Sequence, residues 1–393
     1  MYDAIVVGAR CAGAPLAMLL ARQGRRVLLV DRSLFPSNKM STHLMKRAGL
    51  ARLKAWGLLD RVLAAGAPHL EQWDYNYQGT RILGNFEPVD GLDFELATRR
   101  LELDSILIDA AIEAGVEFRQ GFTVLDVLRK DGRVAGVRGE NRAGHSENID
   151  ARLVVGADGM QSQIALKVGA RFTTRLPTEN CGYYAYFQGL PRVATLETHL
   201  FQNKRLLIHF PTNEDLDVVF LFWPQAEHRA VRADLEAAFD DALALVPSLH
   251  AAVQVGRRES RFMGTNRFDN FIRKSWGPGW ALAGDAAMHR DPITAYGMTH
   301  AFVDADLLAR AVGSSIDDPR ALDRGLAAYE AARLAVSRPS FDATVEAARM
   351  DVPEGVDQML WRLSQGSQVA KDGFIARLDA SINATVGAFE VAA

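Results

Sequence analysis

Near the start of the chain, Gly8-Ala9-Arg10-Cys11-Ala12-Gly13 follows a β-branched apolar run, Tyr2–Val7, and precedes an apolar stretch from Ala14 to Arg22 with Pro15 in its first turn. Strand, glycine turn and helix in this order present backbone N–H groups to an anion at the helix N-terminus. The pattern G-x-G-x-x-G has Arg10 where its middle glycine would let the backbone approach a pyrophosphate. Gly8 still permits the tight turn, Gly13 permits close helix–strand packing, and the Arg10 guanidinium offers a charged contact to a phosphate oxygen. Asp31 ends a second buried run, Arg26–Val30, 18 residues after Gly13. That is near the spacing of a carboxylate accepting from ribose hydroxyls, and a carboxylate there disfavours a 2′-phosphate. The adenosine expected is that of FAD or NAD rather than NADP. A strand–turn–helix without ligand is the alternative for the loop alone, and a solvated strand-end carboxylate for Asp31.

A second strand–turn–helix lies far along the chain. Trp280–Gly284 is a buried run that leads into Asp285, a loop containing Pro292, and Gly297 opening a helix to Val312. A second such unit is needed only if the ligand has a second half, as FAD does. Asp285 can accept from ribityl hydroxyls, and the N-terminus at Gly297–Thr299 favours negative charge on a reduced flavin. Between the two units, Leu153–Gly156 leads into Ala157-Asp158-Gly159.

With these segments in place, the chain resembles the FAD-dependent aromatic hydroxylase superfamily, whose fold also serves flavin halogenases and geranylgeranyl reductases. The resemblance covers roughly residues 2 to 345. It rests on Gly284-Asp285-Ala286-Ala287, Pro292, Gly297 and Asp304-Ala305 in register, on Gly156-Ala157-Asp158-Gly159, and on Arg100 four residues before Asp104. Met288 stands where many hydroxylases carry histidine, with His289 one residue late; Asp291 replaces a proline and Ala295 a glycine. The W-x-W-x-I-P motif of tryptophan halogenases is absent. The resemblance implies FAD contacts at Gly8, Arg10, Cys11, Ala12, Gly13, Asp31, Arg32, Arg100, Val124, Asp158 and Gly159. It extends them to Gly284, Asp285, Pro292, Gly297, Met298 and Thr299. The loop Asp291–Gly297 is expected beside the reactive flavin edge, which makes Pro292, Gly297 and His289 the catalytic candidates. His289 is also readable as a hydrogen-bonded structural residue, as are His43 and His209, and Cys11 as a small packing residue.

The elements that must hold these residues follow from periodicity. Arg99–Gly115 has an apolar helical face, Val116–Phe118 a strand, and Thr123–Val137 a hairpin turning at Asp131-Gly132. Ser41–Leu63 is expected as one amphipathic helix, Trp73–Phe94 as strands of a separate layer, and Ala230–Ala244 as a helix. Cys181–Leu190 and Thr198–Pro224 alternate apolar and polar residues with many aromatics, the pattern of an antiparallel sheet. Helices broken at Pro339 and Pro353 finish the chain. The expected class is α/β: a Rossmann-like FAD-binding domain interrupted by an antiparallel β-sheet substrate domain, with a helical C-terminal tail. In numbers, 1–72, 96–172 and 275–345 form the FAD-binding domain, 73–95 and 173–274 the substrate domain, and 346–393 the C-terminal helices.

Composition narrows the function classes. Net charge of −3 leaves no basic footprint for nucleic acid and no polybasic membrane signal. Two cysteines, Cys11 and Cys181, cannot build a disulfide framework, so a cytoplasmic location is expected, with no membrane anchor and no metal set. The resemblance implies an FAD-dependent monooxygenase that hydroxylates a small aromatic or planar apolar substrate through a flavin C4a-hydroperoxide. Its expected reactants are O₂ and NAD(P)H, the latter bound or used through a partner reductase, with a homodimer as the alternative to a monomer. A geranylgeranyl-reductase-type C=C reductase and a flavin halogenase are the rival activities, and a lipid-binding escort on the same fold is a third class. Tyr184, Tyr186, Phe220 and Phe222 alternate along two strands, so each pair shares a side: a substrate wall if that side meets the flavin, sheet core if it does not.

Overall fold

The computed structural model describes residues 1–352 and 354–383. Tyr2–Val7 is β-branched and apolar because it is buried on both faces: it pairs in parallel with Val27–Asp31 on one side and Ser146–Gly156 on the other. Glu117–Gln120 continues the sheet beyond Val27–Asp31, and Trp280–Leu282 continues it beyond Ser146–Gly156, both in parallel. The helices Gly13–Arg22, Arg100–Glu113 and Gly297–Val312 cover one face and share a core with Leu16, Leu29, Leu103, Val155 and Phe302. The hairpin Thr123–Lys130/Arg133–Glu140 turns at Asp131 and Gly132, both at positive φ, and joins the outer half of Ser146–Gly156.

A second sheet runs in the order Asn180–Gln188, Leu216–Pro224, Arg205–Pro211, Thr195–Phe201, Gln72–Tyr77, Thr80–Asn85. Its two faces are both buried. Cys181, Tyr183, Leu221 and Trp223 face the helices that follow Pro224, including Leu235–Leu243. Tyr184, Tyr186, Phe220 and Phe222 face the other way, in one cluster with Leu44, Ala97, Ala295 and Ile375. The aromatic side is therefore turned toward the loop that ends at Gly297.

Several expected elements are corrected. Ser41–Leu63 is not one helix: Leu44–Met45 pairs with Glu95–Ala97, and two helices follow, Arg47–Ala55 and Leu59–Ala64. Strand pairing there overrides the helical period. Ala230–Ala244 is broken at Asp234, whose carboxylate accepts from Ala237 N–H at 3.0 Å and caps a new helix. The second sheet is mixed rather than antiparallel, because Thr195–Phe201 pairs in parallel with Gln72–Tyr77 after a crossover through the first sheet. Pro339 does not break its helix; Pro319–Ala347 runs through it, held by buried Val336, Ser337, Ser340 and Phe341 around the proline. Val356–Ser364 and Gln368–Asn383 follow, while Pro353 and residues 384–393 lie outside the described residues. Among the described residues no helix is long and apolar enough to cross a membrane.

His209 occupies the centre of the second sheet. Its Nδ1 meets Glu197 and its Nε2 meets Asp217, each at 3.2 Å, in a buried site. Burial opposes its charge, but the hydrogen bonds to Asp217 and Glu197 win and raise its pKa to about 9. The folded value lies above the unfolded one, so the ion-pair stabilisation is complete below about pH 6.5 and is lost as pH rises through 9. Thermal midpoints of wild type and His209→Gln should differ most below pH 6.5 and converge toward the alkaline end. A constant difference from pH 6 to 10 would mean that His209 contributes only by packing.

Candidate functional site

Parallel pairing brings the sequence segments together. Val7 lies opposite Gly156 and Val30, and Gly156 lies opposite Leu282. The turns after these residues, at Gly8, Ala157, Asp31 and Gly284, therefore emerge side by side at the carboxyl end of the sheet, where open α/β folds bind ligands. Gly13 is needed for contact: a Cβ there would lie 1.8 Å from the Gly8 carbonyl oxygen. Asp31 is buried and braces the first turn, accepting from Ala9 N–H at 2.9 Å and Ser33 N–H at 2.7 Å. Val124 stands two residues past Phe122, whose N–H donates to the Asp31 carbonyl.

Beside the first turn sits a charge cluster. Arg100, at the start of Arg100–Glu113, donates from Nε and Nη2 to Asp104 at 2.8–3.1 Å. Arg10 reaches the same carboxylate at 2.5 Å and Ser37 Oγ at 2.8 Å, with its guanidinium over the Phe35 ring. Cys11 Sγ lies 3.7 Å from Asp104, and burial pushes its thiol up to about 12, which keeps it protonated. Lys39 and Arg32 stand around the same space: burial and then Arg10, Arg100 and Arg32 hold the Lys39 ammonium below its ordinary value, with Asp285 the opposing charge. Four cations, two of them paired with Asp104, thus stand against three carboxylates, Asp104, Asp285 and Asp31, beside a helix N-terminus. This surplus of positive charge fits a pyrophosphate.

The far half is framed by a second buried ion pair. Gly284 N–H donates to Asp304 at 2.8 Å, and Asp304 is held by Arg333 at 2.8–2.9 Å with both side chains buried. Asp304 therefore ties the Gly284 turn to Gly297–Val312 and to Pro319–Ala347. Asp291 caps the short turn Pro292–Thr294, accepting from Ile293 N–H at 3.0 Å and from Asn180 Nδ2 at 3.1 Å. Burial raises its pKa to about 6. Ala295 takes positive φ where a glycine was expected, and Gly297 then opens its helix with free space on its exposed side. Met298 and Thr299 fill the first turn of that helix, and Thr299 is wholly buried.

Other candidates are committed elsewhere. Asp158 accepts from Ser162 Oγ at 2.5 Å and Gln163 N–H at 2.7 Å, so its carboxylate secures the start of Gln163–Val168, with Gly159 at positive φ beside it. His289 Nδ1 is engaged by the Asp269 carbonyl at 2.7 Å and its ring stacks on Phe271. It forms part of a small sheet with Asn270–Arg273, a structural placement.

The aromatic face and the charge cluster meet at a residue that sequence spacing left at low weight. His43, wholly buried and at positive φ, hydrogen-bonds Tyr186 Oη through Nε2 at 2.5 Å and stacks on its ring. Burial, then Arg100 and Arg99, lowers its pKa to about 3, so the imidazole is neutral. A cleft of about 480 Å³ opens from Tyr186, with a mostly polar border of Arg99, Gln188, Glu214, Arg257 and Glu259 beside Leu216 and Met263. Tyr184, Phe220 and Phe222 lie behind that surface. Arg333 was equally hidden, since a distant arginine carries no local spacing signal, whereas Asp104 is marked by its place four residues after Arg100. Asp104→Ala should leave Arg10 and Arg100 without their shared anion, at a cost of ~3–5 kcal/mol. Urea unfolding of the variant checks this, and a change below 1 kcal/mol would show the cluster to be solvated rather than paired.

Comparison with known proteins places this geometry. A family model described as FAD binding domain matches residues 1–344. A kynurenine 3-monooxygenase of Salinispora arenicola is 27% identical over 406 residues, covering 95% of this chain and 84% of that protein. A 1H-pyrrole-2-carbonyl-[peptidyl-carrier protein] brominase of Pseudoalteromonas luteoviolacea is 24% identical over 333 residues, covering 80% and 78% of the two chains. Among solved structures, PqsL of Pseudomonas aeruginosa, titled a probable FAD-dependent monooxygenase, superposes with TM-score 0.78 at 25% identity, over 93% of this chain and all of that one. The chain belongs to the FAD-binding-domain family within the FAD-dependent aromatic hydroxylase superfamily, and it is an FAD-dependent oxidoreductase.

Proposed function

We propose that this flavoprotein is a monooxygenase that inserts one atom of O₂ into a small aromatic or planar apolar molecule, with NAD(P)H as the electron source, used directly or through a partner reductase. The observation that carries this reading is the aromatic sheet face of Tyr184, Tyr186, Phe220 and Phe222, which shares one apolar cluster with Ala295 of the turn before Gly297. Relatives of both monooxygenase and halogenase type share the fold, so the chamber rather than the cradle separates the chemistries.

The cofactor contacts assigned to this chain are backbone N–H groups of Gly8–Gly13 with Arg10, Arg32 and Arg100 for the pyrophosphate. Asp31 would accept from the ribose and Asp285 from the ribityl chain. Met298 and Thr299 sit at the helix N-terminus, whose dipole would face the isoalloxazine and favour negative charge there. When bound, FAD supplies electron transfer and activation of O₂. The protein's part is to orient the substrate and exclude water. Tyr184, Phe220 and Phe222 form the packed apolar layer behind Tyr186, whose hydroxyl is paired with the neutral His43. The Pro292–Thr294 turn and Gly297 shape the floor.

The direct test supplies purified enzyme with NAD(P)H, ¹⁸O₂ and a panel of small phenols and anilines. The expected product carries one ¹⁸O, and reductant consumption rises with substrate present. Turnover under argon, with saturation of a C=C bond in an isoprenoid lipid, would assign it to the reductases instead. A halide-dependent product without ¹⁸O would assign it to the halogenases. Side-chain truncation separates wall from core. Tyr186→Ala should change KM or the ratio of product to NAD(P)H with stability mostly kept, whereas Phe222→Ala should cost ~3–5 kcal/mol. Equal destabilisation of both variants, with unchanged kinetics, would place the substrate wall elsewhere.

A further inference from the structure

The family model ends at residue 344, yet the helix Gln368–Asn383 reaches back onto the site. Its first half is bolted to the edge strand Thr80–Asn85. Gln368 Nε2 donates to the Leu83 carbonyl at 3.0 Å, and Asp372 accepts from Asn85 N–H at 2.8 Å. The helix backbone lies against that strand: a Cβ on Gly84 would stand 2.6 Å from the Ile375 side chain and 3.1 Å from the Lys371 carbonyl oxygen. Ile375 is wholly buried in the same cluster as Tyr184, Tyr186, Phe220, Phe222 and Ala295. The helix thus packs on the same apolar cluster as the aromatic sheet face and the turn before Gly297.

Its second half carries a charge into the interior. Asp379 accepts from Tyr296 Oη at 2.7 Å and pairs with Arg47. Tyr296 immediately precedes Gly297 and is only 1% exposed. Burial and the Asp379 charge hold its phenol well above its ordinary value, so it remains a donor. Around it, the Lys46 ammonium stands over the Tyr296 and Trp73 rings at 5.4 and 5.1 Å and pairs with buried Glu95 at 3.1 Å. Two cations and two carboxylates in a dry site are a poor way to hold a helix, because apolar side chains of that size would do so without desolvating charge. What such a network does provide is directional: it fixes one register of the helix against one position of the turn.

The geometry points to Asp379 as a positioning residue that acts through Tyr296, so that the C-terminal helix closes the chamber and sets the turn before the Gly297 helix N-terminus. This rests on the functional reading above in taking that turn as the flavin-facing one. The two are separable, because the latch is a property of the turn whether or not the reaction is an oxygenation.

The test uses the full-length protein with its flavin, as Asp379→Ala and as Tyr296→Phe, the latter removing a single oxygen atom. Hydrogen exchange at residues 292–300 should quicken by roughly tenfold in both, the scale of a lost hydrogen bond to a charged group. Exchange in Tyr2–Val7 should be unchanged. Iodide quenching of flavin fluorescence should rise, and the visible flavin spectrum should shift toward that of free FAD. A helix that serves only as packing would loosen residues 368–380 and leave the flavin signals alone. Wild-type exchange at 292–300 with wild-type quenching in both variants would overturn the proposal, even if the helix itself loosened. Should Asp379→Ala fail to fold, Tyr296→Phe carries both measurements. Absence of flavin from purified wild type would remove the functional reading, while the exchange comparison would still decide the latch.

Discussion

Parallel pairing of Tyr2–Val7 with Ser146–Gly156, and of that strand with Trp280–Leu282, is the constraint on which the site depends. Residues more than a hundred positions apart become neighbours only because Val7, Gly156 and Leu282 share a register. A slip of one residue along any of these strands would invert its buried faces and point its following turn away from the others. Such slips are strongly opposed here, since Ala4, Ile5 and Val6 are all wholly buried and both faces of the strand are filled. Packing thus sets the spacing of the cofactor turns, although none of the packed side chains is a candidate to touch the cofactor.

Charge is arranged around this frame with a definite asymmetry. Asp304 and Arg333 neutralise each other, and Asp304 ties three segments together. At the first turn the balance differs: Asp104 is shared by two arginines, and Lys39 and Arg32 add further positive charge nearby. Burial first, and then repulsion from Arg10, Arg100 and Arg32, lowers the Lys39 pKa, and a dianionic ligand would relieve the repulsion. Flavin binding and stability are therefore coupled through the same residues, more tightly than for a site built of neutral donors.

The sequence was legible where local rules decide. Gly8, Gly13, Asp31, Gly284 and the Gly297 helix follow from glycine geometry, strand ends and helix starts, and each of these elements forms near its expected bounds. Asp131-Gly132 gave its hairpin for the same reason. Reading failed where a distant partner overrides local preference. Leu44–Met45 becomes a strand because Glu95–Ala97 is there to pair with it, and Pro339 stays in its helix because its flanking residues are packed. His43 and Asp379 belong to the same class: their significance comes from Tyr186 and Tyr296, separated from them by 143 and 83 positions. No window along the chain contains both members of any of these pairs.

The division of labour in the fold follows from this. The cradle for FAD is assembled from local motifs held by parallel register, so it is recognisable across relatives that brominate, hydroxylate or reduce. The chamber is assembled from long-range contacts: an aromatic sheet face, a neutral histidine from the segment after the second strand, and a helix beyond the matched region. Chemistry that depends on which molecule is held, and on how well water is excluded, must therefore reside in those contacts. A neutral His43 beside Arg100 and Arg99 adds no anion to the chamber, and the arginines' charge is directed to Asp104 and Glu214 instead. The aromatic cluster itself is packed and buried, while the cleft that opens at Tyr186 is rimmed by charged groups, Arg99, Glu214, Arg257 and Glu259.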